Sequence, residues 1–387
     1  MNQTKNQYYA IVGILILAIS VAVRLAAYPI IVSDYTYFTA KWFDALHTHA
    51  WLTAFTTPFS DYAPLYLYVL KLLTFIPLPS LYSIKTLSFL FDVFIASVAY
   101  VMIKKTSPVP YTKSQLFFAF VVMVSIPTVL INSSLWGQAD ALYAAGVVLS
   151  LYCILVEAPL WAAVALGVAL SLKIQAIFFL PVLVGYFLRD KRTVWYVLVL
   201  PGIYLLSLVP ALLGGGSFWY LLTVYVHEAN EYTWLNVSSQ SIFSFINNLP
   251  ISTGFQDVLF WLGILLAGVG AAWIIACIAY PSEKPSPLKM VYLSLMCVIL
   301  VPFLLPRMHE RYFYLADLLS VVYAFYNPRQ WYVPVLVVLS SFLAYMPFLS
   351  SQVSWFSAFH IDLRVPSTIL FVALVLLLFS MKERQYE

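Results

Sequence analysis

Residues 62–79 read Tyr-Ala-Pro-Leu-Tyr-Leu-Tyr-Val-Leu-Lys-Leu-Leu-Thr-Phe-Ile-Pro-Leu-Pro, and the topology of the chain turns on whether this run crosses a membrane. The run is mostly apolar, yet it follows Asp61, carries Lys71 in its middle and ends in Pro77 and Pro79. Those features suit a juxtamembrane helix lying in the interface better than a span. If it spanned, the loop holding Lys104, Lys105 and Lys113 would face outward and every later loop would flip. Read as interfacial, with the N-terminus inside, it leaves that loop and Arg189, Lys191 and Arg192 on the cytoplasmic side, where basic loops concentrate.

The rest of the chain makes the membrane setting unavoidable. It is 63% hydrophobic and only 9% charged, with 28 Tyr, 28 Phe and 11 Trp in 387 residues. A soluble fold of this size cannot hide so much apolar surface. With windows of about 20 apolar residues, spans are expected at 8–32, 81–103, 114–131, 139–156, 159–172, 174–188, 193–213, 256–280, 288–305, 311–326, 331–347 and 363–381. The expected fold is therefore all-α, a polytopic membrane protein of about twelve transmembrane helices. A division into an N-terminal module, 1–213, and a C-terminal module, 214–387, follows from the long loop that begins at 214. The first segment lacks a cleavage site and reads as a retained helix. Cys153, Cys277 and Cys297 lie scattered in apolar runs and suggest packing, with neither a disulfide framework nor a metal site. The net charge of +4 comes from loop lysines and arginines and does not point to nucleic acid.

This topology gathers the unusual polar residues on the outer face, in segments 33–80, 132–138, 172–175, 214–255, 306–311 and 348–363. Of sixteen acidic residues, nine fall there or at adjoining span ends: Asp34, Asp44, Asp61, Asp140, Glu228, Glu231, Asp257, Glu310 and Asp362. Asp92 and Asp317 are the acids expected inside the membrane.

The densest cluster is Pro306-Arg-Met-His-Glu-Arg311, with Arg307, His309, Glu310 and Arg311 between two apolar runs. Two arginines and a histidine at a membrane boundary suit an anion, a phosphate above all, because the guanidinium fork matches its oxygens. The plainer reading is a juxtamembrane anchor with Glu310 paired to Arg307 or Arg311. Asp34 stands at the exit of the first span, where a carboxylate can act as a general base or simply end a helix. Arg24 is expected to snorkel toward the same interface. The turn Asn132-Ser-Ser-Leu-Trp-Gly-Gln-Ala-Asp140 offers Trp136, Gln138 and Asp140 to a sugar, or else is a capped bend with Asp140 as the cap. Lys173 and Gln175 interrupt an apolar run, and Lys173 requires an anion, a carbonyl or water; a phosphate and Asp140 both qualify. The polar stretch 227–241 has the look of an acceptor-facing or lid segment, and Asn236-Val-Ser matches a glycosylation sequon. His227, Glu228 and Glu231 have the spacing of metal ligands on a helix but lack a fourth candidate, so no metal is expected.

Nucleotide loops, zinc patterns and a serine-hydrolase elbow are missing from the sequence. An Asp after the first span, Tyr62-Ala-Pro-Leu-Tyr66, Trp136-Gly-Gln-Ala-Asp140, Leu172-Lys-Ile-Gln175 and Arg307-Met-His-Glu-Arg-Tyr312, in that order, resemble the polytopic GT-C glycosyltransferases. The likeness is to bacterial relatives of the dolichyl-phosphate-sugar-dependent mannosyl- and glucosyltransferases. It implies two juxtamembrane helices in the first external loop, a polyprenyl-phosphate-sugar donor and metal-independent inverting transfer of a hexose. The acceptor would be a lipid-linked or other glycan, and no cofactor would be needed beyond the donor. Many members of that family carry paired acids in the first loop; here Tyr35 and Tyr37 flank the single Asp34, which inherits the role of base. Arg307, Arg311, Lys173 and His309 would hold the donor phosphate, Glu310 would orient an arginine, and Tyr62, Trp136, Gln138, Asp140 and Gln175 would meet sugar or acceptor. The implied location is a multi-pass protein of the bacterial plasma membrane with its site facing outside, or of the ER membrane in a eukaryote. The competing class is a transporter or flippase of lipid-linked sugars, against which stands the one-sided placement of polar residues.

Overall fold

The computed structural model describes residues 2–50, 53–231, 233–246 and 249–383. Helix α1 (Asn2–Ala27) leads into a first loop that contains α2 (Ala40–Thr48) and α3 (Pro64–Leu73), and α4 (Ser80–Thr106) follows. Next come α5 (Lys113–Val124), α6 (Pro127–Leu130), α7 (Asp140–Leu155), α8 (Pro159–Leu172), α9 (Leu180–Leu188) and α10 (Val199–Leu213). The C-terminal half holds α11 (Phe218–Leu222), α12 (Val224–Asn230), α13 (Thr253–Ala279), α14 (Pro287–Leu304), α15 (Tyr314–Tyr326), α16 (Tyr332–Gln352) and α17 (Arg364–Glu383). Among the described residues one sheet occurs, β1 (Asn236–Val237) parallel to β2 (Met308–His309).

Each segment expected to span holds a helix, but among the described residues length and composition qualify six helices to cross a membrane: Thr4–Ala27, Ser80–Thr106, Val194–Leu213, Thr253–Ala279, Pro287–Leu304 and Pro328–Gln352. A seventh is the pair Lys113–Val124 and Pro127–Trp136, bent by 50°. Pro127 at the first position of α6 explains the break, since proline cannot donate to the preceding turn. The remaining apolar helices have 10–17 residues, short of the roughly 20 that a perpendicular crossing takes. The chain is thus an integral membrane protein built of helices, and the structure does not establish twelve crossings.

The run at 62–79 forms a ten-residue helix, α3, about 15 Å long at 1.5 Å per residue, so it does not span. Lys71 turns inward, and its ammonium donates to the carbonyls of Leu46 (2.5 Å) and His49 (2.9 Å) at the end of α2. That contact caps the C-terminus of α2 and pins the two first-loop helices together.

Close packing comes from small residues. A Cβ at Gly146 of α7 would fall 2.8 Å from the carbonyl of Ala165 and 2.8 Å from the Ala169 Cβ, so α7 and α8 touch backbone to backbone. Behind them α4 packs on α5 and α7, and α14 on α13 and α15.

Arg24 does not snorkel. Its guanidinium is buried and pairs with Asp92 of α4 at 3.0 Å. It also donates to Ser133 and Ser134 (2.7 Å each) and to the carbonyl of Val124 (2.8 Å). A charge already facing a carboxylate and three oxygens gains nothing from reaching to the interface beyond the end of α1. Asp317 is likewise enclosed, accepting from Thr128 (2.6 Å) and Ser341 (2.7 Å).

Candidate active site

The outer-face segments of the sequence reading converge on one cavity of about 570 Å³. Its walls include Asp34, Asp61 and Tyr62 from the first loop, Gln138, Lys173 and Gln175 from the two interruptions, Glu228 and Glu231 from the fourth loop, Arg307–Tyr312, and Phe348. Residues on both sides of position 213 therefore build it.

Asp34 immediately precedes a π-helical turn, Tyr35–Thr39, that runs into α2. A second π turn, Ile131–Trp136, ends at Gly137, whose φ of 74° is a left-handed conformation suited to glycine. π turns re-aim side chains and often sit at functional positions. Here the two bring Asp34 and Trp136 together. The Trp136 indole N–H donates to Asp34 Oδ2 at 3.0 Å, and the Gln138 amide donates to the same oxygen at 2.9 Å. An Arg311 Nη lies 3.6 Å from that oxygen as well. Among the described residues Oδ1 accepts no hydrogen bond, and the side chain is 21% exposed. One oxygen is fixed while the other is unengaged among the described residues.

Trp136 is only 1% exposed, with one ring face stacked on Phe348 (4.7 Å, 6°) and the Arg311 guanidinium 5.1 Å from its centroid. It cannot offer a free face to a sugar and instead aims Asp34. Asp140 does not cap α7 with its side chain. It pairs with Lys173 at 2.5 Å and accepts from Asn132 at 2.7 Å. Neither Trp136 nor Asp140 lines the cavity, whereas Gln138, Gln175 and Tyr62 do. Lys173 caps the end of α8 in extended backbone, φ −158°, which turns its ammonium toward both Asp140 and the Tyr62 ring, 5.5 Å away.

The 306–311 cluster is held by strand pairing. Arg307 N–H donates to the Leu235 carbonyl at 2.8 Å, and Asn236 and Val237 pair with Met308 and His309. Arg307 itself has φ 61°, an uncommon conformation for a residue with a side chain. Its guanidinium donates to the Ala229 carbonyl (3.1 Å) and lies 4.4 Å from the Phe260 ring centroid. Glu310 pairs with Arg311, Oε1 to Nε at 3.3 Å, rather than standing as a free anion. Burial pushes its carboxyl up to about 7, although Arg311 beside it pulls the other way. Burial first, then Arg311 and Lys173, push the His309 imidazole down to about 3, so it enters the site neutral, with one N–H to donate. Burial also raises Glu228 above the ordinary carboxylate range, against the pull of Lys173.

The sequon is not available for glycosylation, because Asn236 is buried and its amide and carbonyl both engage Ser239. His227 stacks on Tyr220, and among the described residues no group of three His, Cys, Asp or Glu side chains is arranged to hold a metal ion.

Sequence reasoning passed over Lys85 and Ser88 of α4, which support this corner from behind. Lys85 donates to three backbone carbonyls of the 27–30 segment, and Ser88 Oγ donates to the Gln138 carbonyl at 2.7 Å. The signal was present as polar residues 85, 88 and 92, spaced to share one face of a helix.

A family model, Glycosyltransferase family 87, matches residues 59–306, more than half of the chain. The chain belongs to glycosyltransferase family 87, a GT-C-type family of polytopic glycosyltransferases. A search of the curated proteins finds no match. The match takes in Tyr62, Trp136, Gln138, Asp140, Lys173 and Gln175 and stops short of Asp34 and of Arg307–Arg311. Membership makes the protein a membrane glycosyltransferase.

Proposed function

We propose that this glycosyltransferase moves a hexose from a polyprenyl-phosphate donor to a glycan or lipid-linked acceptor, with Asp34 as general base. The observation that carries the reading is the half-anchored carboxylate. Asp34 Oδ2 receives two N–H groups and faces Arg311, Oδ1 is unengaged among the described residues, and the cavity beside it is lined by Lys173, Arg307, His309 and Arg311.

The chemistry follows from charge. The acceptor hydroxyl oxygen attacks the anomeric carbon as its proton passes to the Asp34 carboxylate. The bond between that carbon and the phosphate oxygen breaks, its electron pair stays on the phosphate, and the configuration inverts. The transition state carries positive charge on the sugar ring and growing negative charge on the phosphate. Arg311, Arg307 and Lys173 meet the latter, and neutral His309 contributes an N–H. Gln138, Gln175 and Tyr62 on the cavity wall face the sugars.

The site is read as extracytoplasmic, in a bacterial plasma membrane. Helix α4 runs from Ser80, bonded to Tyr35 at 2.7 Å beside the site, through 27 residues to Lys104 and Lys105 at its far end. That is about 40 Å of helix. Basic residues favour the cytoplasmic side, which supports a cavity on the other.

Full-length Asp34→Asn, assayed for transfer from polyprenyl-phosphate mannose and polyprenyl-phosphate glucose, tests the assignment. Loss of a positioned base lowers kcat roughly 10²–10⁴-fold. Wild-type turnover in D34N would sink it.

A further inference from the structure

Helix α1 ends at Ala27, and only six residues separate that end from Asp34. The carbonyls that close a helix lack intrahelical partners and carry partial negative charge. Here a single group meets three carbonyls of this stretch. The Lys85 ammonium donates to Ala27 (3.1 Å), Tyr28 (3.0 Å) and Ile30 (2.7 Å), which uses all three of its N–H donors. Lys85 is 0% exposed and forms no ion pair among the described residues. A buried cation compensated only by carbonyls is costly unless each donor is satisfied, and each is.

The same end of α4 holds the other side of Asp34. Ser88, one turn on, donates to the carbonyl of Gln138, whose side chain bonds Asp34. Ser80 and Tyr35 share a hydrogen bond of 2.7 Å. The aliphatic stem of Lys85 lies against the Gly137 turn, where an added Cβ would come 3.4 Å from its Cγ. Lys71 meanwhile caps the far end of the helix that Asp34 begins. The lysine itself does not line the cavity.

We propose that Lys85 is a positioning residue for Asp34: it fixes the carbonyls of residues 27–30 against α4 and so sets where the carboxylate meets Trp136 and Gln138. The proposal rests on the reading of Asp34 as the base. Without the three bonds, residues 28–33 are free to shift while the cavity walls made by the fourth loop and the 306–311 cluster stay in place.

The test uses the full chain in lipid nanodiscs with two separate readouts. In the first, a D34C thiol is labelled with a charged methanethiosulfonate and followed by mass spectrometry, with an E231C thiol, on the cavity wall contributed by the fourth loop, as control. K85M is expected to change the D34C rate roughly ten-fold and leave E231C unchanged, with K85R restoring part of the difference. An unchanged D34C rate, or an equal change at both thiols, overturns the proposal. Should K85M fail to reach the membrane, K85Q, which keeps two donors, carries the same expectation at smaller amplitude. In the second readout, transfer from polyprenyl-phosphate mannose or glucose is measured for K85M, D34N and the double variant. K85M is expected to lower kcat roughly ten-fold with donor KM within about two-fold, and to cost less than about two-fold in the D34N background. A full additive loss in the double variant also overturns the proposal. Wild-type turnover in D34N instead removes the base assignment and leaves the labelling result to judge Lys85 alone.

Discussion

Arg311 is the sharpest place to press the reading. Its Nη2 stands 3.6 Å from Asp34 Oδ2 and its Nε 3.3 Å from Glu310 Oε1, in a setting where all three side chains are largely shielded. At an effective dielectric of about 20, each pairing corresponds to roughly 4–5 kcal/mol of Coulomb attraction before desolvation is counted. Replacing the residue, as R311Q, would leave two carboxylates facing each other. The structure supplies a relief, because Glu310 is already pushed up to about 7 with the arginine in place. Without its cation Glu310 takes up a proton near neutrality, and the net charge of the cluster changes little. The fold should therefore tolerate R311Q better than the ion-pair sum suggests. Catalysis has no such relief: a lost electrostatic contact to developing charge costs about 3–4 kcal/mol, or roughly 10²–10³-fold in kcat/KM. R311K should recover part of that, since it restores the charge without the fork. The assay is initial-rate transfer from polyprenyl-phosphate mannose and glucose by nanodisc-embedded enzyme, with thermal unfolding measured in parallel. An R311Q enzyme that stays folded and keeps kcat/KM within about three-fold of wild type would refute the role.

Two further outcomes follow from the same corner. W136F keeps the stack on Phe348 but removes the indole donor to Asp34, a hydrogen bond to a charged group worth about 1.5–3 kcal/mol; kcat should fall roughly ten-fold or more with little change in melting temperature, and an unchanged kcat would show that Gln138 and Arg311 hold Asp34 by themselves. Glu310 gives a pH signature whose sign is fixed by the direction of its shift. Its folded-state value, about 7 against 4.5, means the fold binds the proton more tightly, so that contribution to stability is full below about pH 4.5 and is lost as pH rises through about 7. E310Q should gain on wild type by up to roughly 3 kcal/mol between about pH 5 and pH 8, and parallel thermal-unfolding curves would contradict it.

What the sequence disclosed was set by contrast. Asp34, Lys173 and the 306–311 cluster stand out because they interrupt apolar runs, and the cavity does gather them. Where an argument needed a partner from elsewhere in the chain it went astray. Arg24 looked like a snorkelling residue because Asp92 lies on another helix, and Trp136 looked like a sugar platform because Phe348, which covers it, comes from α16. Asn236-Val-Ser matched a sequon, and the burial of Asn236 beside the pairing of β1 with β2 was hidden because that pairing joins segments far apart in sequence. Lys85 was overlooked for a different reason: a hydropathy window absorbs one lysine among many apolar residues, and only the spacing of 85, 88 and 92 marks the polar face. The count of twelve spans is not confirmed, since α7, α8 and α9 are helical where expected but shorter than a perpendicular crossing.

The charges of the cavity suggest how a donor would change it. Arg311 is answered by Asp34 and Glu310, and Lys173 by Asp140, so each of these two cations already has a carboxylate. A phosphate brought to Arg311 competes with Asp34 for the same guanidinium, and the fork prefers two phosphate oxygens to a single carboxylate oxygen at 3.6 Å. Asp34 would then lose its cation but keep the Trp136 and Gln138 donors that hold it in place. Lys173 answers differently, because its 2.5 Å pair with Asp140 is fully enclosed and the lysine reaches the cavity only alongside Tyr62. On the proposed reading Arg311 is the cation that would change partners, while Lys173 would add its charge to the phosphate site without leaving Asp140.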